Sequence, residues 1–188
     1  MAAAETTVAS FATSEADLAV LVQVAAVWTA AFPTAPGRDR YAEALVRRDG
    51  PDTPQRAAEH VHCIFEGGHC VAAARSFVRV VLLDGTPTPV LALAHVATSP
   101  AARGRGLGAA VVQEAWKRLD AKELPFSLFC TGVPAFYTKL GAVPYAPARV
   151  VYPDGAAPFH DDALLVYFAP GAAPPDAAMV LDAQGDGW

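Results

Sequence analysis

The 188-residue sequence predicts an α/β fold of the α+β kind, one domain built on a mixed, mostly antiparallel central sheet. Three observations lead there. The apolar periodicity switches between helical and alternating in the order α-α-β-β-β-α-β-α-β-β. Three of the strands follow one another through tight turns, which makes them antiparallel neighbours. The stretch "RGRGLG", Arg103 to Gly108, then sets a glycine at every second position where a strand passes into a helix.

The elements follow in order. Ser14-Glu15-Ala16-Asp17 has the form of a capping box with Ser14 as N-cap. Leu18, Leu21, Val22, Ala25 and Trp28 keep helical spacing after it, and Pro33 ends that helix. A second helix is expected over Asp39 to Arg48, closed by Gly50, with a polar connection over Gly50 to Arg56. "EHVHCIFE" and "HCVAAARSFVRVVLL" flank Gly67-Gly68, a two-residue hairpin turn. "DGTPT", Asp84 to Thr88, makes the next turn, and "VLALAHVAT" from Val90 the third strand.

From Gly108, the residues Val111, Val112, Ala115, Trp116 and Leu119 form one helix face. Glu114 and Arg118 form a favourable pair on the other. Pro125 to Thr131 reads as a strand. Pro134 suits a first helical position and Gly141 a helix stop, with Phe136, Tyr137 and Leu140 between. "ARVVY" and "ALLVYF" are two closing strands around a Pro-Asp-Gly turn at 153–155. Residues 1–12 and 170–188 read as peripheral or irregular, with a short helical piece allowed in the tail.

Composition bounds the function. With 53% hydrophobic and 18% charged residues the chain is globular rather than disordered. A net charge of −5 argues against a nucleic-acid partner, which needs a basic footprint. The longest apolar patch, Leu18 to Phe32, holds Gln23 and Thr29 and is too short to span a membrane. No Lys or Arg precedes Arg38, so no leader is expected. The 3 cysteines are too few and too odd for a disulfide scaffold, and a reducing cytoplasm is the expected home.

A strand-to-helix junction offers unpaired N–H groups and the positive end of the helix dipole. Glycines at Gly104, Gly106 and Gly108 let a phosphate approach them, with Arg103, Arg105 and Lys117 as candidate charges. An ordinary glycine-rich turn is one reading. A dinucleotide fingerprint is a second, because Gly104-x-Gly106-x-x-Ala109 has its form. That motif belongs in a parallel βαβ unit with an acid ending the next strand; here hairpins precede it and the next strand ends in Cys130-Thr131.

A third reading is a resemblance. Arg103-x-x-Gly106-x-Gly108 resembles the acetyl-CoA pyrophosphate loop of the GNAT superfamily of N-acetyltransferases. "AFYTKLGA", Ala135 to Ala142, resembles that superfamily's second signature, a short helix with its Tyr beside the cofactor sulfur. The two motifs stand in the right order on the right elements over roughly residues 10–168. The resemblance implies a sheet splayed between its central strands, with helices on both faces. It implies acetyl-CoA as cosubstrate, its pantetheine paired to backbone near Val96, Ala97 and Thr98. The pyrophosphate would meet the N–H groups of Arg103, Gly104, Arg105, Gly106, Leu107 and Gly108. The reaction implied is direct transfer to a primary amine in a ternary complex, with Tyr137 as acid. His95 has the intrinsic pKa of a base, and an ordered water is the other option. A strand N–H near His95 or Val96 would polarise the thioester carbonyl.

"HVHCIFEGGHC", His60 to Cys70, holds three His and two Cys and invites zinc. Strand geometry opposes it: His60 and His62 point to one face and Cys63 to the other. With a two-residue turn, Phe65 pairs with Cys70, Cys63 with Ala72 and Glu66 with His69, so the candidates do not converge and no metal is expected. Cys63 and Cys70 become diagonal neighbours about 7–8 Å apart by Cα, long for a disulfide.

The C-terminus "MVLDAQGDGW" and the stretch "HDDALLVYF" are similar to those of aminoglycoside 2′-N-acetyltransferases. That resemblance implies Asp161, Asp162, Asp186 and Trp188 at the acceptor site, where carboxylates would suit a polycation. An amino-acid derivative or peptide N-terminus, and a non-catalytic acyl-CoA-binding module, stay open as alternatives. The expected partner is a small-molecule amine, with no nucleic acid and no membrane; a homodimer stays open.

Overall fold

The computed structural model describes residues 5–32, 59–120, 122–146, 149–151, 163–172 and 180–182. The elements are β1 (Thr6–Ala12), α1 (Leu18–Ala31), β2 (His60–Glu66), β3 (His69–Leu83), β4 (Thr86–Thr98), a 3-10 turn (Pro100–Ala102), α2 (Leu107–Trp116), β5 (Phe126–Thr131), α3 (Pro134–Thr138), β6 (Val143–Pro144), β7 (Arg149–Val151), β8 (Ala163–Phe168) and β9 (Val180–Asp182). The helix expected over Asp39 to Arg48 and the turn at 153–155 lie outside the described residues. None of the described helices is long and apolar enough to cross a membrane.

Two compact units share the chain: Met1–Phe77 with Ala94–Lys117, and Val78–Leu93 with Arg118–Trp188. In the first, β1 pairs antiparallel with β2, and β2 with β3. The Gly67-Gly68 turn has φ of 55° and 81°, the left-handed pair that a two-residue hairpin needs and glycine adopts without strain. Glu66 faces His69 and Phe65 faces Cys70 as expected, but Cys63 pairs with Ala73, not Ala72. The reason is a β-bulge: Ile64 faces Ala72 while Phe65 faces Cys70, so Val71 is one extra residue. Its backbone groups and those beside it find other partners. The Cys70 N–H donates to Gln23 Oε1 at 2.8 Å. The Ser99 N–H donates to the Val71 carbonyl at 2.8 Å.

The bulge keeps Cys70 on the face of Cys63 and Ala73, where α1 packs through Leu21, Val24, Val27 and Trp28. A hydrogen bond donated to Cys70, with burial added, pushes the Cys63 thiol up and holds it protonated. The other face carries Ile64, 1% exposed, and His62, whose ring nitrogens meet Ser10 Oγ and Ser76 Oγ at 2.8 Å each. There α2 runs over β1 and β2 and buries Val111, Val112, Ala115 and Trp116. Helices thus cover both faces of this unit.

In the second unit β5 pairs antiparallel with β8, and β8 with β6. β9 pairs antiparallel with β3 and parallel with β7. Parallel pairing of β4 with β5 is confined to Leu91↔Ser127 and Ala92↔Leu128, although β4 runs on to Thr98 and β5 to Thr131. This is the mixed, mostly antiparallel sheet that was expected, open rather than closed. Val81, Leu83, Val90, Phe126, Leu128, Tyr145 and Val166 form the core here.

Four local expectations are corrected. Residues 6–12 form the edge strand β1 rather than an irregular arm. Residues 180–182 form strand β9 within a tail expected to be irregular. The N-cap of α1 is Asp17, whose carboxylate accepts from Ala19 N at 2.7 Å, because Thr13 to Ala16 are taken up in a turn closed on Ala12 O. Glu114 pairs with Lys117 at 2.6 Å and not with Arg118, because α2 ends at Trp116.

Candidate functional site

The glycine turn belongs to the first unit. β4 ends at Thr98, the 3-10 turn Pro100–Ala102 reverses the chain, and α2 starts at Leu107. Gly106 is the N-cap, with φ 79° and ψ 0°, and Gly104 has φ 76°. Both sit in the left-handed region, so the glycines are required by backbone shape. A Cβ built on either meets no heavy atom within 4 Å, so the convex side of the turn faces open space. The first helical bond closes Ala110 N onto Gly106 O, leaving the amides of Leu107, Gly108 and Ala109 without an intrahelical acceptor. The helix has no acidic residue in its first turn and no side-chain cap. Its dipole and its amides are therefore available to an anion.

The three basic residues expected to help divide sharply. Arg103 donates its Nε to Thr98 O at 3.3 Å. Arg105 forks onto Glu66, with Nη1 to Oε2 at 2.8 Å and Nη2 to Oε1 at 2.6 Å. Hydrogen bonding to Glu66, with the charge of that carboxylate, raises the Arg105 pKa above its ordinary value. Arg105 thus fastens the turn to the hairpin, both of its terminal nitrogens engaged by the Glu66 carboxylate. Lys117 is corrected: it pairs with Glu114 beyond the far end of α2, about 15 Å along the axis from Leu107. Glu66 was missed by sequence reasoning; its one signal was an acid placed just before a two-glycine turn.

His95, Val96, Ala97 and Thr98 lie at the end of β4 in the same unit. His95 has φ 51°, a left-handed residue inside a strand, which costs of order 1–3 kcal/mol and re-aims the chain. Its half-buried ring lies 5.1 Å from the Trp28 ring and 6.4 Å from Phe32 on the α1 side. Ala97 is buried in the α1 cluster. The Thr98 carbonyl accepts from Arg103 and so joins the strand end to the turn.

Tyr137 belongs to the second unit. Pro134 opens α3 at a position where no N–H is needed, and Gly141, φ 97°, follows the helix end. The Tyr137 ring is buried between Phe129, 4.7 Å away, and Phe136, 4.8 Å away. Burial pushes its phenol up to about 12. Asp161, Asp162, Asp186 and Trp188 lie outside the described residues. Of the suspected metal ligands, His62 and Cys63 point to opposite faces of β2, as alternation requires.

Comparison with known proteins follows the same lines. Residues 14–145 match the model of the acetyltransferase (GNAT) domain, well over half of the chain. No curated protein sequence matches the chain. Among solved structures, a GNAT family N-acetyltransferase from Escherichia coli in complex with CoA has a TM-score of 0.63 at 17% identity, over 98% of this chain and 92% of that one. An acyl-CoA N-acyltransferase from Pseudomonas aeruginosa has a TM-score of 0.59 at 16% identity, over 86% and 99%. A probable N-acyltransferase from Enterococcus faecalis has a TM-score of 0.58 at 16% identity, over 76% of this chain; the match spans only 33% of that longer chain. These likenesses establish the fold.

Proposed function

The chain belongs to the acetyltransferase (GNAT) family, and on that premise we propose that it transfers an acetyl group from acetyl-CoA to a primary amine of a small molecule. One observation carries the reading: a helix N-terminus capped by left-handed Gly106, open to solvent, with unused amides and no competing acid in its first turn. That is a cradle for a diphosphate. Arg103 supplies the nearby charge and the amides from Gly104 to Gly108 the hydrogen bonds; the Arg103 amide, expected to join them, is instead taken up by the Pro100 carbonyl. Val96, Ala97 and Thr98 offer strand backbone to the pantetheine arm.

Chemically the neutral amine attacks the thioester carbonyl to form a tetrahedral intermediate, whose nitrogen gives a proton to water; collapse breaks the C–S bond and expels the coenzyme thiolate, which takes a proton from solvent, leaving an amide and CoA. The role of Tyr137 rests on its place in the family's second motif. A phenol held near 12 does not hand its proton fully to a thiolate of ordinary pKa. That transfer runs uphill by about 3.5 pKa units, roughly 5 kcal/mol. Tyr137 acts instead as a hydrogen-bond donor that stabilises the departing sulfur and remains protonated across the working pH range. His95 is the base we assign for the incoming ammonium, directly or through water; its left-handed backbone in a strand is the kind of strain kept where geometry matters.

The acceptor we propose is cationic, held by Asp161, Asp162, Asp186 and Trp188, with an aminoglycoside-like amine as the first candidate. Titration calorimetry with acetyl-CoA, beside a thiol-release assay over aminoglycosides, amino-acid derivatives and peptide N-termini, tests the reading. Micromolar binding with turnover on one amine class supports it. Binding without turnover on any amine leaves a coenzyme-binding module, and absence of binding ends the proposal.

A further inference from the structure

Arg105 and Glu66 belong to different parts of the first unit: one to the glycine turn, the other to the last position of β2, 39 residues earlier. Both carboxylate oxygens are engaged by both terminal nitrogens of one guanidinium, the geometry that fixes orientation as well as distance. The Glu66 side chain is 14% exposed and that of Arg105 53%. The carboxylate is thus seated in the protein and the arginine reaches in to it. A second link parallels the first, because Ser99, just before the 3-10 turn, donates to the carbonyl of the bulged Val71. The segment leading to α2 is therefore pinned to the β2–β3 hairpin at both ends.

We infer that Glu66 is a positioning residue for coenzyme binding: through Arg105 it holds the glycine turn in the shape that presents its amides to the diphosphate. The inference rests on the reading that the turn binds acetyl-CoA. Glu66 meets no ligand itself. Its carboxylate would repel a diphosphate if left bare, and Arg105 cancels it. The pair pre-orders a turn whose two left-handed glycines are otherwise free to rearrange, so the ordering cost is met before the coenzyme arrives.

The test is binding of three probes, CoA, dephospho-CoA and pantetheine, to the wild-type chain and to Glu66→Gln, Arg105→Ala and the exchanged double variant Glu66→Arg with Arg105→Glu. Glu66→Gln should weaken CoA and dephospho-CoA alike by about tenfold, the scale of ordering one or two long side chains. Pantetheine, which lacks the diphosphate, should change less than twofold, and the exchanged pair should recover most of the loss. A merely structural pair would weaken all three probes together and lower the melting temperature in proportion. Tighter CoA binding by Glu66→Gln would overturn the inference in the opposite sense, since Arg105 would then be a phosphate ligand that Glu66 withholds. Equal binding by wild type and variant overturns it as well. Failure of the wild-type chain to bind CoA at all would instead strike the function reading, so the two failures are distinguishable.

Discussion

Replacing Gly106 by Asp and, separately, by Asn separates backbone shape from charge at the anion cradle. Gly106 sits at φ 79° and ψ 0°, and a Cβ there touches nothing within 4 Å, so neither side chain meets a clash. The folding penalty is then left-handed strain alone, about 1–2 kcal/mol for an ordinary L residue and less for Asn. For a chain of this size that lowers the melting temperature by roughly 2–8 °C, so both variants stay folded. Binding should part them. A carboxylate about 4 Å from one phosphate charge, at an effective dielectric near 20, is opposed by about 4 kcal/mol. Screening at physiological salt leaves roughly 2–4 kcal/mol. The Asp variant should therefore bind acetyl-CoA about 30- to 1000-fold more weakly than the Asn variant, as read by calorimetry. The gap should narrow as NaCl rises from about 50 to 500 mM. Two folded variants binding within threefold of one another would refute the placement of the diphosphate at this turn.

Other outcomes follow from the same geometry. Tyr137→Phe should lower turnover about 10²-fold while acetyl-CoA affinity stays within twofold, since the ring remains packed on Phe129 and Phe136. The same variant has a stability signature. The phenol rises from its ordinary 10.0 to about 12 by burial, so its contribution is intact below pH 10 and lost as pH climbs to 12. Urea unfolding at pH 9 and 11.5 should show the wild type losing about 2 kcal/mol that the Phe variant keeps. His95→Gln should cost about 10²- to 10⁴-fold in turnover and erase the acid limb of the pH–rate profile; retention of that limb assigns the base elsewhere. Asp17→Ala removes the α1 cap and should cost about 1 kcal/mol, a fall of roughly 2–4 °C in melting temperature, with no effect on coenzyme binding.

Much of this was readable from residue order because strong local signals agreed with the fold. The Gly67-Gly68 turn, the Pro134 and Gly141 punctuation and the apolar face of α2 each had a local cause, and each element formed where expected. The misses had non-local causes. β1, "TTVASFA", is an edge strand of small residues whose first three are exposed, and only pairing with β2 makes it a strand. β9 exists through β3 and β7. The bulge at Val71 has no signature in "HCVAAA"; a helix residue, Gln23, and a loop residue, Ser99, take the hydrogen-bonding groups there. At the site, both arginines of "RGRG" look alike in sequence, and only Glu66, brought close by folding, tells them apart.

The extra residue at Val71 works as a vernier for the molecule's first half. It offsets the hairpin tip by one step from the rest of β3, and both settings are read out by distant segments: α1 through Gln23, the approach to the glycine turn through Ser99. Trimming Val71 would leave Phe65 opposite Cys70 and Glu66 opposite His69, but it would remove the carbonyl that accepts from Ser99 and so cut the tie to the segment before the glycine turn. A hairpin with an exposed tip ordinarily tolerates length changes; this one is tied through Val71 to Ser99, so a change of length at the bulge also reaches the segment that leads to α2.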